Sequence, residues 1–250
     1  MRKGDTDVLY IVMPAYNEEE NIESVVKQWY PVVEKIGLRS KLLIVNDGSK
    51  DQTYEKLLAL TGKYPQLQAM DKPNSGHGST CLFAYNISME AGADYIFQTD
   101  SDGQTNPDEF DLFWNNRNEY DFIIGDRNSR QDGKDRVFVT KVLRMLVRVI
   151  FNVYVKDSNT PFRLMKADRL KKIMEIIPND FFLCNVVISA IAVKWKERII
   201  WYPITFKPRQ GGVNSINFKR IIKIGWKAIG DFGTINKRLR NCFEPKVSVS

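Results

Sequence analysis

The sequence has little of what soft-metal chemistry requires. It contains one histidine, His77, and three cysteines, Cys81, Cys184 and Cys242, far apart and without metal-ligand spacing. A zinc centre is therefore not expected. The cysteines read as free, buried thiols of a reducing compartment. No apolar run approaches the roughly 18 residues of a membrane span. Val186 to Val193 is apolar but too short, and fits a core helix. The opening MRKGDTDVLY lacks the apolar stretch of a signal peptide. There is no internal repeat, no low-complexity linker and no recognised nucleic-acid motif, so a nucleic-acid partner is not expected.

What is present describes a soluble globular chain. Its 250 residues are 43% hydrophobic and 27% charged, enough to bury a sizeable core. The formal net charge of +7 points to an anionic partner. That charge is uneven. From Lys194 onward there are thirteen Lys/Arg against three Asp/Glu, or +10, which leaves the first 193 residues at −3. An acidic front and a basic back imply two tasks on one chain.

Apolar runs ended by turn residues predict strands at Val8–Met13, Leu42–Val45, Leu67–Met70, Tyr95–Thr99 and Phe122–Gly125. Helical periodicity fills the gaps: Glu18–Ile36, Asp51–Leu60, Ser79–Glu90 and Pro107–Asn116. Alternation of this kind predicts an α/β fold, a mostly parallel sheet flanked by helices. Ligands of such sheets bind beyond the carboxyl ends of the strands. The polar clusters PAYNEE, NDGSKDQT, DSDGQ and GDRNSR all fall there.

The second half differs. Arg136–Val155 is largely apolar, with Lys141, Arg144 and Arg148 on one helical face. In Phe218–Phe232, Phe218, Ile221, Ile222 and Ile229 lie opposite Lys219, Arg220, Lys223 and Lys227. Basic amphipathic helices can lie on an anionic bilayer, or pack on the sheet or a partner with their cations in water.

Asp100-Ser-Asp102-Gly-Gln104 places two carboxylates and an amide at alternate positions beyond an apolar strand. Oxygen ligands of this type suit Mg²⁺ or Mn²⁺ completed by substrate phosphates. An Asp-rich turn is the plain alternative. Together with Val12-Met-Pro-Ala-Tyr-Asn-Glu18, Val45-Asn-Asp47-Gly-Ser49 and Asn74-Ser-Gly76-His-Gly78, the motif resembles the inverting family 2 glycosyltransferases of GT-A fold. Within them the chain most resembles the dolichyl- and polyprenyl-phosphate sugar transferases. The match runs from about Val8 to Ser215. It implies a catalytic domain over 1–215 and a basic amphipathic extension over 216–250, available to a membrane surface or a partner.

The resemblance assigns roles to individual residues. Pro14, Tyr16, Glu18, Val45, Asp47, Asp100 and Ser101 would bind the nucleotide sugar. Asp100, Asp102 and Gln104 would hold the metal, Asp102 with a catalytic share. Asn46 stands where the family often has an acid. Arg127, Arg163 and Arg209 would contact phosphates, because a guanidinium forks onto phosphate oxygens. The Arg209–Ser215 loop lacks the family's lysine after the serine; Ile216 stands there. Asp157, in DSNTPFR, would position the acceptor or act as base, with Asp180 as the other acid available. Asn185 stands near the point where relatives carry a glutamate.

The implied activity is hexose transfer from a nucleotide-diphosphate sugar to an undecaprenyl or dolichyl phosphate, at the cytoplasmic face of a membrane. The expected attachment is peripheral, through the basic helices or a membrane-anchored partner subunit, and a homo-oligomer is compatible with the sequence. Two alternatives remain open: a hydroxyl acceptor on a surface glycan or glycolipid with the same fold and donor, and, more distantly, a nucleotidyltransferase.

Overall fold

The computed structural model describes residues 7–127, 134–157, 159–207 and 218–243; the side chains of 134–140, 218–227 and 242–243 lie outside the described set. Its centre is a seven-stranded sheet. In chain order the strands are β1 (Leu9–Ala15), β2 (Lys41–Asp47), β3 (Leu67–Lys72), β4 (Tyr95–Gln98), β5 (Phe122–Asp126), β6 (Arg163–Lys166) and β7 (Ile199–Pro203). They lie in the order β3-β2-β1-β4-β6-β5-β7. All neighbours are parallel except β6, which runs antiparallel between β4 and β5. The expected mostly parallel α/β sheet is therefore present. Every residue of β1 is buried, as a strand covered on both faces requires.

Helices cover both faces. On one side lie α1 (Ile22–Ile36), α2 (Thr53–Thr61) and α4 (Phe110–Asn115), the last entered through a 3-10 turn at Pro107–Glu109. On the other lie α3 (His77–Glu90), α5 (Lys134–Phe151), α6 (Ala167–Met174), α7 (Cys184–Lys194) and α8 (Phe218–Phe243). α1 buries Ile22, Val25, Val26, Trp29 and Val33, the 3- and 4-residue steps visible in its sequence. Its Trp29 joins an aromatic cluster: Phe97 lies 5.5 Å away, and Phe97 meets Phe110 edge-on at 5.0 Å and Phe162 at 4.7 Å. Each such pair contributes about 0.5–1.5 kcal/mol beyond its burial. This cluster fixes β4 from below, and β4 carries the acidic turn.

α8 is part of the same body. Ala228, Phe232, Ile235 and Leu239 recur at helical spacing and are buried in the core shared by α3, α5 and α7. Phe232 lies 5.6 Å from Phe151 of α5, and Asn236 Nδ2 donates to the Ile150 carbonyl at 2.7 Å. The thiols of Cys81 and Cys184 are free and buried, as expected; the side chain of Cys242 lies outside the described residues.

Candidate active site

The carboxyl ends of β1, β2 and β4 surround a cavity of about 530 Å³. Pro14, Tyr16, Glu18, Asp47, Asp100, Ser101 and Asp102 line it, which brings together seven of the residues singled out from sequence. Ala15, Asn74, Gly76 and His77 complete the wall. Val45 does not reach it; its side chain is buried in the core cluster beneath.

The walls are held by bonds between loops. After β1, Asn17 adopts φ of 54°, a left-handed conformation that asparagine tolerates. Its backbone N–H donates to Ser49 Oγ at 2.9 Å, and its side-chain oxygen accepts from Lys50 N at 2.9 Å. Glu18 is nearly buried; its N–H donates to Thr53 Oγ1 at 2.8 Å, and its carboxylate accepts from Asn21 at 2.8 Å. Tyr16 stays 43% exposed, its ring presented to the opening. Ser101 Oγ donates to the Pro14 carbonyl at 2.8 Å and ties the acidic turn to the end of β1.

Asp47 organises the loop between β3 and α3. Its Oδ1 takes Lys72 Nζ at 2.6 Å and Ser75 N–H at 2.9 Å, and its Oδ2 takes Gly76 N–H at 2.8 Å. Burial alone would raise this carboxyl; the bonds from Lys72 and the two amides more than offset it and hold it below the ordinary range. Asn46, where relatives often have an acid, donates to Asp71 at 2.6 Å. Gly48 has φ of +63°, and a Cβ there would stand 2.8 Å from Asn74 N, so only glycine fits the close approach. Lys72, which braces Asp47 at the cavity wall, was not singled out by motif reading. Its signal was weak, a lysine at the end of an ordinary strand.

In the acidic turn, Asp100 Oδ1 lies 2.9 Å from His77 Nε2. The imidazole is about half exposed, and the adjacent Asp100 carboxylate, by charge and hydrogen bond, pushes it up to about 9. Asp102 Oδ1 accepts from Gln104 N–H at 3.1 Å, and Gly103 takes φ of 72° between them. Gln104 departs from the expectation of a metal ligand. It is buried outside the cavity wall; its side-chain Nε2 donates to the Lys207 carbonyl at 2.7 Å, and its backbone carbonyl accepts Lys207 N–H at 2.8 Å. It clamps the segment after β7 to the turn.

No cluster of three or more His, Cys, Asp or Glu among the described residues forms a protein-only metal cage. Of the four carboxylates in the cavity wall, Glu18 and Asp47 are committed to Asn21 and to the Lys72–Gly76 loop, which leaves Asp100 and Asp102 of the acidic turn as the donor set. That set fits a hard divalent ion whose other ligands are water and a diphosphate, the usual arrangement for Mg²⁺.

Arg127 and Asp157 stand outside the cavity wall and bond to each other. Arg127 Nε and Nη2 fork onto Asp157 Oδ2 and Oδ1 at 2.9 and 3.1 Å, and the Arg127 guanidinium lies 5.2 Å from the centre of the Phe206 ring. Arg163 is a correction. Expected at a phosphate, it is 0% exposed on β6, donating to the carbonyls of Thr160 at 2.7 Å and Asn185 at 3.1 Å. A guanidinium with those partners braces the chain crossing beneath α7. Asp180 is exposed, and Asn185 is buried beside Tyr85. Arg209 lies outside the described residues.

The mostly parallel sheet thus carries an Asp-x-Asp turn facing a cavity at its carboxyl edge. The sequence profile of glycosyl transferase family 2 matches residues 10–183, and the chain belongs to that family. It is 26% identical over 178 residues to a dolichyl-phosphate beta-glucosyltransferase of Trichomonas vaginalis, covering 64% of this chain and 54% of the relative. With an undecaprenyl-phosphate 4-deoxy-4-formamido-L-arabinose transferase of Pectobacterium atrosepticum it shares 22% identity over 244 residues, 96% of this chain and 72% of the relative. The chain thus spans about half the length of the first relative and more of the second. Among solved structures it is similar to the glucosyl-3-phosphoglycerate synthase of Mycobacterium tuberculosis in complex with Mn²⁺, UDP and glucosyl-3-phosphoglycerate. The TM-score is 0.67 at 17% identity, over 97% of this chain and 82% of that one. At that identity the likeness shows the fold, here GT-A.

Proposed function

We propose that the chain transfers a hexose, with inversion, from a nucleotide-diphosphate sugar to a polyprenyl phosphate at the cytoplasmic face of a membrane. The observation that carries this reading is the convergence of Asp47, Asp100 and Asp102 on one cavity at the carboxyl edge of the sheet. The two polyprenyl-phosphate relatives support the acceptor class.

Pro14 and Tyr16 would flank the nucleobase, the ring supplying apolar area with a polar tip. Glu18 and the Asp47-braced loop would receive base and ribose groups. Asp100 and Asp102 would hold Mg²⁺ or Mn²⁺, and the ion would supply charge neutralisation for the departing diphosphate. The acceptor phosphate oxygen forms a bond to the anomeric carbon as the bond from that carbon to the diphosphate breaks. The nucleoside diphosphate leaves with the electron pair, and no proton is transferred. Arg127, with Arg209 as a further contact, would orient the acceptor phosphate.

Asp157 favours an anionic acceptor over a hydroxyl. Both its oxygens are engaged by Arg127, so it serves as a positioning residue in preference to a free base. A phosphate monoester, with a second pKa near 6, is already a nucleophile at neutral pH. The test supplies Mg²⁺ or Mn²⁺, a panel of sugar nucleotides and a short polyprenyl phosphate, and follows nucleoside diphosphate release. Release should require the lipid phosphate and fall roughly 10²–10³-fold in Asp102→Ala. Release indifferent to the acceptor, or to that substitution, would overturn the assignment.

A further inference from the structure

We infer that the outward face of α5 is a docking surface for an anionic bilayer, joined by hydrogen bonds to the acceptor end of the site. The buried stripe of α5 is Leu143, Val147 and Phe151, at four-residue steps. The opposite stripe is also apolar: Met145 is 58% exposed and Val149, one turn on, 73%. Scattered exposed apolar residues need no explanation, but two a turn apart on one helix, directly opposite its buried stripe, do. Lys141 and Arg148 are exposed along the same flank, and no acidic residue occurs from Lys141 to Tyr154. An exposed ridge of apolar side chains edged by cations is the form that lies in a bilayer interface, its apolar residues below the headgroups and its cations among them.

The occupant is a bilayer; among the described residues no helix side chain covers the outer stripe. α8 already fills the inner side of α5, through Phe232 against Phe151 and Asn236 on Ile150. Among Lys141 to Tyr154 the charged side chains are all of one sign, so the complement of the stripe is a broad anionic surface.

The ridge is tied to the chemistry. Arg144 Nη2 donates to the Lys156 carbonyl at 2.8 Å. The next residue, Asp157, takes the fork from Arg127, which lies over Phe206. The Phe206–Lys207 segment is clamped by Gln104 of the acidic turn. A lipid phosphate oriented by Arg127 would be joined to the docked helix through Asp157, Lys156 and Arg144. That last step rests on the proposed polyprenyl-phosphate acceptor; the docking itself does not.

Vesicle flotation of the full chain tests it, with phosphatidylcholine alone against phosphatidylcholine containing phosphatidylglycerol. The wild type should float with the anionic vesicles, several-fold less with the neutral ones, and less in high salt. Met145→Asp/Val149→Asp should cut the floated fraction at least tenfold while leaving the thermal midpoint and nucleoside diphosphate binding by calorimetry at wild-type values. Lys141→Glu/Arg148→Glu, which leaves the apolar ridge intact, should abolish the preference for anionic vesicles. A wild type that does not float would overturn the inference. So would a double variant that floats as well as wild type, or light scattering showing a dimer that Met145→Asp dissociates. Flotation intact without acceptor-dependent turnover would sink the proposed reaction alone; turnover on a detergent-solubilised acceptor without flotation would sink the docking surface alone.

Discussion

Asp47 shows how a residue flagged for ligand contact can act one step back. Both its oxygens brace the loop of Ser75 and Gly76, so it shapes the cavity wall as well as facing it. Asp47→Asn keeps the size but gives up the charge and one acceptor. A charge-assisted bond is worth about 1.5–3 kcal/mol, so nucleoside diphosphate affinity should weaken roughly tenfold or more, as read by titration calorimetry. Asp157 makes a related case. If it positions Arg127, Asp157→Asn should raise KM for the lipid phosphate and leave the pH dependence of kcat in place. Loss of a basic limb from that profile, with kcat down by the roughly 10²–10⁴-fold of a missing general base, would return it to the role of base.

At the scale of elements, the helix named from sequence as a basic extension is built into the core along its second half. Phe232 is fully buried among Phe151 and Phe181. Phe232→Ala should therefore cost about 3–5 kcal/mol in urea unfolding, as for other buried phenylalanines. A cost under about 1 kcal/mol would mean that α8 contributes little to the fold. The first five strands and the helices between them were legible because a parallel sheet forces apolar runs and each run ended in Gly, Asp, Asn or Pro. β6, α6 and β7 were not. β6 is four residues long and carries a charge at each end, Arg163 and Lys166, which reads as loop. It is held by pairing on both sides with β4 and β5, a long-range property no local pattern encodes. β7 is only half-buried and lacks clean alternation. The same limit explains the site. The cavity acids sit at strand ends where local motifs place them, whereas the burial of Arg163 and the diversion of Gln104 depend on Asn185 and Lys207, 22 and 103 residues away.

For the whole molecule, the sheet edge opposite the cavity carries a stabilising charge cluster. Asp121, ahead of β5, takes Arg198 Nη2 at 2.7 Å and Lys166 Nζ at 3.0 Å, joining β5, β6 and β7. Burial would raise its carboxyl; Arg198 and then Lys166 overcome this and hold it far below the ordinary value. A depressed folded-state pKa contributes stability above the unfolded value, about 3.9, and that stability is lost progressively as pH falls from there through the folded value. Chemical denaturation between pH 6 and pH 3 should show this acid loss, and Asp121→Asn should be less stable near neutrality with a flatter acid limb.

The whole arrangement, cavity, acidic turn and braced loops, is read as a place for a metal-bound nucleoside diphosphate. A crystal of the protein grown with manganese and a nucleoside diphosphate tests this most directly. Anomalous density bridging the diphosphate to Asp102, with the nucleobase between Pro14 and Tyr16, is the predicted result. A diphosphate bound elsewhere, or manganese with no bond to the acidic turn, would contradict it.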